Sequence, residues 1–134
     1  MHAMKTSTVS NLAISFFFLI VGLSTISVSA NASRNHIVGG DRGWGLAAGS
    51  YNIWALHRSF VAGDKLQFKY PPGAHNVVRV GAVGYENCKA TTKESRKAMS
   101  TGNDKLTLKK GMNYFICGFQ GHCTGGMKIK VHAK

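Results

Sequence analysis

From residue 35 onward, apolar and polar residues alternate in short runs broken by glycine and polar turns. That is the period-two signature of strands with one buried face. In GDKLQFKY, Leu66, Phe68 and Tyr70 fall on one side and Lys65, Gln67 and Lys69 on the other. KLTLKK repeats the pattern with Leu106 and Leu108, and MKIKVHA repeats it with Met127, Ile129 and Val131 against Lys128, Lys130 and His132. HNVVRVG (75–81), YNIW (51–54) and NHIVG (35–39) are further strand candidates, and NYFICGF (113–119) reads as a more fully buried one. Residues 85–98, YENCKATTKESRKA, lack the alternation and predict a short helix or an irregular crossover. About seven to eight short strands with one longer connection predict an all-β, two-sheet antiparallel sandwich of Greek-key type. Trp44, Trp54, Phe60, Phe68 and Phe115 are its expected core aromatics.

The first thirty residues stand apart from this pattern. Lys5 is followed by the apolar run LAISFFFLIVGL (12–23) and then by Val28-Ser29-Ala30, small residues of the kind a signal peptidase accepts. The run is shorter than the roughly 20 residues a membrane-crossing helix needs. The expectation is a cleaved signal over 1–30, with Ala32 as the alternative end, and one domain over 31–134. No second apolar run follows, so no lipid-anchor signal or membrane anchor is expected. Asn31-Ala32-Ser33 fits the glycosylation pattern but lies at or before the new N-terminus, so no glycan is expected there.

Charge then narrows the partners. Seventeen Lys and Arg against five Asp and Glu give +12, much of it lysine at outward strand positions, where it also discourages pairing between sheet edges. In a secreted chain such charge points to anionic partners: an acidic protein, a membrane surface or an acidic polysaccharide. Secretion removes nucleic acid as a target. The expected location is the extracellular space or cell wall, and the expected state a monomer.

Candidate chemistry concentrates in YFICGFQGHCTGGMKIKV (114–131), where Cys117, His122, Cys123 and Met127 lie within eleven positions. Three cysteines, Cys88, Cys117 and Cys123, leave one thiol over in an oxidising compartment. Pairing Cys117 with Cys123 would close a small loop and remove Cys117 from chemistry. If a metal instead holds Cys117 as a thiolate, Cys88 and Cys123 remain to pair. His75, after the turn Tyr70-Pro71-Pro72-Gly73 and before a strand, is the best second imidazole. His75, Cys117 and His122 with Met127 as a weak fourth donor make the set of blue copper electron-transfer sites. Zinc gains little from a thioether, and a catalytic zinc keeps a position for water. A Cys117/His122 nucleophile pair is the enzyme alternative; no carboxylate or amide stands nearby to orient it, and the expectation is a protein that is not an enzyme. His36, His57 and His132 are read as surface or capped histidines.

IVGGDRGW, FVAGDKLQFKY, GAHNVV, the cysteine of YENCKA, and YFICGFQGHCTGGMKI follow one another in an order that resembles a phytocyanin, the plant branch of the cupredoxins. The likeness covers essentially all of 36–131 and is greatest to the plantacyanins, since Met127 stands where stellacyanins carry glutamine. It implies a cupredoxin-like sandwich holding one type 1 copper ion and cycling it between Cu(II) and Cu(I). It implies His75, Cys117, His122 and Met127 as ligands, a Cys88–Cys123 disulfide, and Asn76 as the side chain that pins the ligand loop. His122 is the expected electron exit, with His75 second, toward an acidic protein or a small redox molecule. A basic extracellular signalling or wall-binding protein with incidental copper is the alternative. Gly118 and Gln120 stand where relatives commonly show Asn and Pro, beside the ligands, and so bear on the reduction potential.

Overall fold

The computed structural model describes residues 32–134; the expected signal segment lies outside the described residues. Six strands form two three-stranded sheets. The first orders β1 (Asn35–Ile37), β2 (Lys65–Lys69) and β4 (Asn103–Thr107) side by side, with β1 parallel and β4 antiparallel to β2. The second orders β3 (Val78–Val80), β5 (Gly111–Ile116) and β6 (Lys128–Ala133), all antiparallel. The two-sheet architecture is as expected, and the strand number is lower for a local reason. YNIW does not form a strand. It opens the helix α1 (Tyr51–Leu56), whose N-cap Ser50 hydroxyl accepts from the Ile53 N–H. Tyr51, Trp54 and Ala55, spaced i, i+3, i+4, pack on the core while Ile53 and Leu56 face water. Four residues are too few to tell this period from alternation. Two other extended stretches shrink to single bridges, Phe60 with Ala133 and Val77 with Met99. The parallel β1–β2 pair uses the long connection carrying α1, as a parallel crossover requires.

The core fills the space between the sheets. Phe68 and Leu66 of β2 meet Phe115 of β5 and Ile129 and Val131 of β6, with Trp44, Tyr51, Phe60, Cys117 and Met127 completing the cluster. β5 is buried on both faces, as its composition suggests. Its outer face, with Val78, Val80 and Cys123, is covered by α2 (Ala82–Asn87), whose Tyr85 packs there. The 85–98 segment holds the last turn of α2 and all of α3 (Thr92–Ser95), the latter begun by a Thr91–Glu94 capping box. Gln67 departs from the expected wet face. It is buried on the outer side of the first sheet, its amide bridging Asn35 and Asn103 on the two flanking strands. Among the described residues no helix is long and apolar enough to cross a membrane.

Candidate metal centre

Strand register builds the site. Pairing of Phe115 with Ile129 and of Ile116 with Lys128 continues one step further, where the Cys117 N–H donates to the Met127 carbonyl at 2.9 Å. Val78 pairs with Ile116 on the other side. Cys117 therefore leaves β5 pointing inward, at the same end of the sheet where His75 precedes β3 and Met127 precedes β6. Between them, residues 118–126 fold back in tight turns. The His122 N–H donates to the Phe119 carbonyl at 3.1 Å, and the His122 carbonyl accepts from Met127 N–H at 3.0 Å. Gly121 and Gly126 supply the left-handed conformations these turns need.

The result is a compact donor set. One ligand atom from each of His75, Cys117 and His122 lies within 4.8 Å of the others. The two Nδ1 atoms stand 3.0 Å apart, and Cys117 Sγ is 3.5 Å from His122 Nδ1. Cys117 is 1% exposed and the two imidazoles are half-buried above it. Burial, followed by the neighbouring His122, lowers the His75 pKa, which favours the neutral ring that a metal requires. The two Nδ1 atoms and the Cys117 sulfur lie within reach of a single ion. Two imidazole nitrogens and a thiol sulfur form a donor set that fits a borderline-soft metal ion. Met127 is fully buried in the same core cluster as Cys117. Cys88 and Cys123 form a disulfide, and Cys117 is the free, buried cysteine.

Asn76, which the family resemblance names as the side chain that pins the ligand loop, makes a contact of that kind, whereas the supporting roles of Trp44, Tyr51 and Gly45 were not legible in the sequence. Asn76 Oδ1 accepts from the Gly118 N–H at 2.6 Å, tying the residue after His75 to the residue after Cys117. Trp44, read only as core, also donates its indole N–H to the Asn76 carbonyl at 3.0 Å. Tyr51 holds the strap in front of it. Its hydroxyl accepts from Gly45 N–H at 2.6 Å and lies 2.7 Å and 3.1 Å from the carbonyls of Gly45 and Gly43. Gly45 in turn lies against His75, where a Cβ would sit 3.7 Å from Nε2. Backbone of the strap thus passes beside the Nε2 edge of His75, which stays half-buried. His122 instead packs beside the partly exposed Phe119, ring centroids 5.6 Å apart. The Gly-Trp-Gly run at 43–45 was the signal for this strap. His36 lies apart from the site, bonded to Asp64 at 2.9 Å, and His57 and His132 are exposed.

Comparison with known proteins places this geometry. The family model described as plastocyanin-like domain matches residues 44–127. The basic blue protein of Cucumis sativus is 44% identical over 98 residues, 73% of this chain and 97% of that protein. The chemocyanin of Lilium longiflorum is 44% identical over 98 residues, 73% of this chain and 74% of that one. Among solved structures, cucumber basic protein, a blue copper protein, superposes with a TM-score of 0.68 at 41% identity, covering 75% of this chain and 99% of its own.

Proposed function

Since the chain belongs to the plastocyanin-like domain family, in its phytocyanin branch of cupredoxin-type copper proteins, we propose that it is a secreted carrier of single electrons with His75, Cys117, His122 and Met127 as its copper ligands. The observation that carries this reading is the free, buried Cys117 thiol lying 3.5 Å from a histidine nitrogen while the other two cysteines are bridged. Bound there, copper supplies a Cu(II)/Cu(I) couple whose thiolate bond gives intense visible absorption. The chain's part is to hold its donors still and keep water and substrates away. Cys117 lies beneath both imidazoles, out of reach of a substrate, which favours a carrier over an enzyme. His122, carried on the glycine-rich turn beside the partly exposed Phe119, is the side chain proposed to pass the electron outward, with His75 second. Its partner is an acidic protein or a small redox molecule.

Secretion follows from the signal expected over residues 1–30, and the Cys88–Cys123 bridge suits an oxidising compartment. N-terminal sequencing of exported material should begin at residue 31, or at 33 if cleavage follows Ala32. For the metal, titration of the purified domain with Cu(II), followed by visible and EPR spectroscopy, should give one tightly held ion and an intense band. Cys117→Ser should abolish the band. A colourless Cu(II) complex of the unaltered protein, or recovery of Cys117 in a disulfide, defeats the assignment. The high positive charge favours a second reading, a wall-binding or signalling protein with incidental copper; equal biological effect from metal-free and loaded protein would select it.

A further inference from the structure

The fold half-buries the charge on Arg79 without neutralising it. The guanidinium donates to Asn113 Oδ1 at 2.7 Å and to the Thr107 carbonyl at 2.5 Å, and it lies 4.7 Å from the centre of the Phe115 ring. All three partners are neutral, and burial lowers the Arg79 pKa. No ion pair among the described residues includes Arg79. A desolvated charge with only neutral partners is costly and gains from a counter-charge.

Space for that counter-charge lies beside it. Arg79, Lys93 and Lys97 line a depression of 260 Å³ whose one acidic wall residue is Glu94. Glu94 is already committed: Oε1 accepts from Gly81 N–H at 3.0 Å, and Oε2 from the Thr91 N–H and hydroxyl at 2.8 and 3.0 Å. A second depression of 340 Å³ shares Gly81 and Glu94 with the first and carries Lys89 on its wall. The two depressions adjoin at Gly81 and Glu94, with Arg79, Lys93 and Lys97 lining one and Lys89 lining the other.

We propose that this groove of two adjoining depressions binds a linear polyuronate, a sugar chain with one carboxylate per residue, with Arg79 as one of its carboxylate contacts. Lys93 and Lys97 hold carboxylates in the same depression and Lys89 in the other. A protein partner would need desolvated aromatic or aliphatic anchors. This groove offers only Val83, 75% exposed, with no aromatic residue on its walls. Repeated carboxylates and hydroxyls on a narrow chain match what it does offer. Gly81 follows the end of β3 remote from His75, roughly 20 Å along the strand at ~3.3 Å per residue. A chain in the groove leaves the histidine-bearing end uncovered, and binding does not depend on the metal.

The test titrates purified protein, copper-loaded and metal-free, with a long oligogalacturonate, with galacturonic acid and with a poly-Glu peptide of matched charge, at low and physiological salt. The expected result is salt-sensitive binding of the oligomer in both metal states, far weaker binding of the monomer, and weaker binding of the peptide. Lys93→Gln with Lys97→Gln should cost about tenfold in affinity, two lost ionic contacts to a polyanion. Lys65→Gln with Lys105→Gln removes the same charge from exposed positions of the other sheet and should cost less than about twofold. Equal loss from the two pairs would assign binding to diffuse charge and overturn the groove. Equal affinity for poly-Glu would overturn the polysaccharide.

Discussion

Asp64→Asn isolates a buried carboxylate that ties Arg34 and His36 to the sandwich. Its side chain is 4% exposed. Oδ1 accepts from the Arg34 N–H at 2.9 Å; Oδ2 accepts from the Val61 N–H at 3.2 Å and lies 2.9 Å from His36 Nε2, with Arg34 Nε at 3.7 Å. Asparagine keeps the shape, but whichever way its amide turns, its NH₂ faces a backbone N–H. At roughly 1.5–3 kcal/mol for each bond to a charged group, and with desolvation of the carboxylate offsetting part, the net loss is about 3 kcal/mol. In a domain near one hundred residues that lowers Tm by about 15 °C. Burial alone would raise the Asp64 pKa, but the His36 ring bond, the Arg34 and Val61 N–H groups and the His36 charge outweigh it and leave it lowered. A carboxylate lowered on folding stabilises fully above its unfolded value, about 3.9, and loses that contribution as pH falls through the folded one. Urea unfolding of metal-free protein, followed by tryptophan fluorescence, should therefore show the full gap at pH 6 and a narrowing gap below about pH 4. A gap under about 1 kcal/mol at pH 6, or one unchanged down to pH 3, refutes the reasoning.

Replacing Cys88 and Cys123 together by alanine opens a loop of sequence separation 35 and should cost about 4 kcal/mol in urea unfolding; a loss below about 1 kcal/mol would show that the unfolded chain gains little freedom. Tyr51→Phe removes the hydroxyl that gathers Gly43 and Gly45 and should cost about 1–3 kcal/mol. In copper-loaded protein it should also shift the reduction potential, measured by voltammetry, while the visible band keeps its intensity; an unmoved potential would separate the strap from His75. Gly43→Ala places a Cβ 2.6 Å from the Lys69 carbonyl at a φ of 64° and should destabilise by at least about 2 kcal/mol in the same assay, since the backbone on both sides is fixed by the Trp44 N–H bond to that carbonyl.

The parts of the molecule that could be read from its sequence are those in which one residue type has one role. Alternating Leu66/Phe68 and Ile129/Val131 fixed which faces turn inward, because a one-residue slip would have put lysines in the core. Cys117, His122 and Met127 stood out because soft donors are scarce and their spacing is local. The supporting contacts were hidden for the opposite reason. Trp44 and Tyr51 look like ordinary core aromatics, and only the tertiary fold shows that the indole N–H and the phenol hydroxyl are spent on backbone groups beside His75. Gln67 was assigned to water because its neighbours on β1 and β4 could not be known, and its burial depends wholly on Asn35 and Asn103. α1 was mistaken for a strand because a capped two-turn helix shows too few periods.

These contacts decide how the candidate donors are held. Cys117 is held by the ladder to Met127, and His122 by its two backbone bonds within the turn. His75 sits between the Gly45 strap and Asn76, itself fixed by Trp44 and Gly118. Each restraint belongs to the sandwich, and none requires an ion. The candidate ligand atoms are therefore brought together by folding, with the ordering entropy already met by the core. A one-electron carrier benefits from this, because donors anchored by packed strands shift little when the charge among them changes. The basic groove lies at the other end of β3, beyond the strand that carries this restraint, so a polymer seated there can hold the protein in place without disturbing the donors.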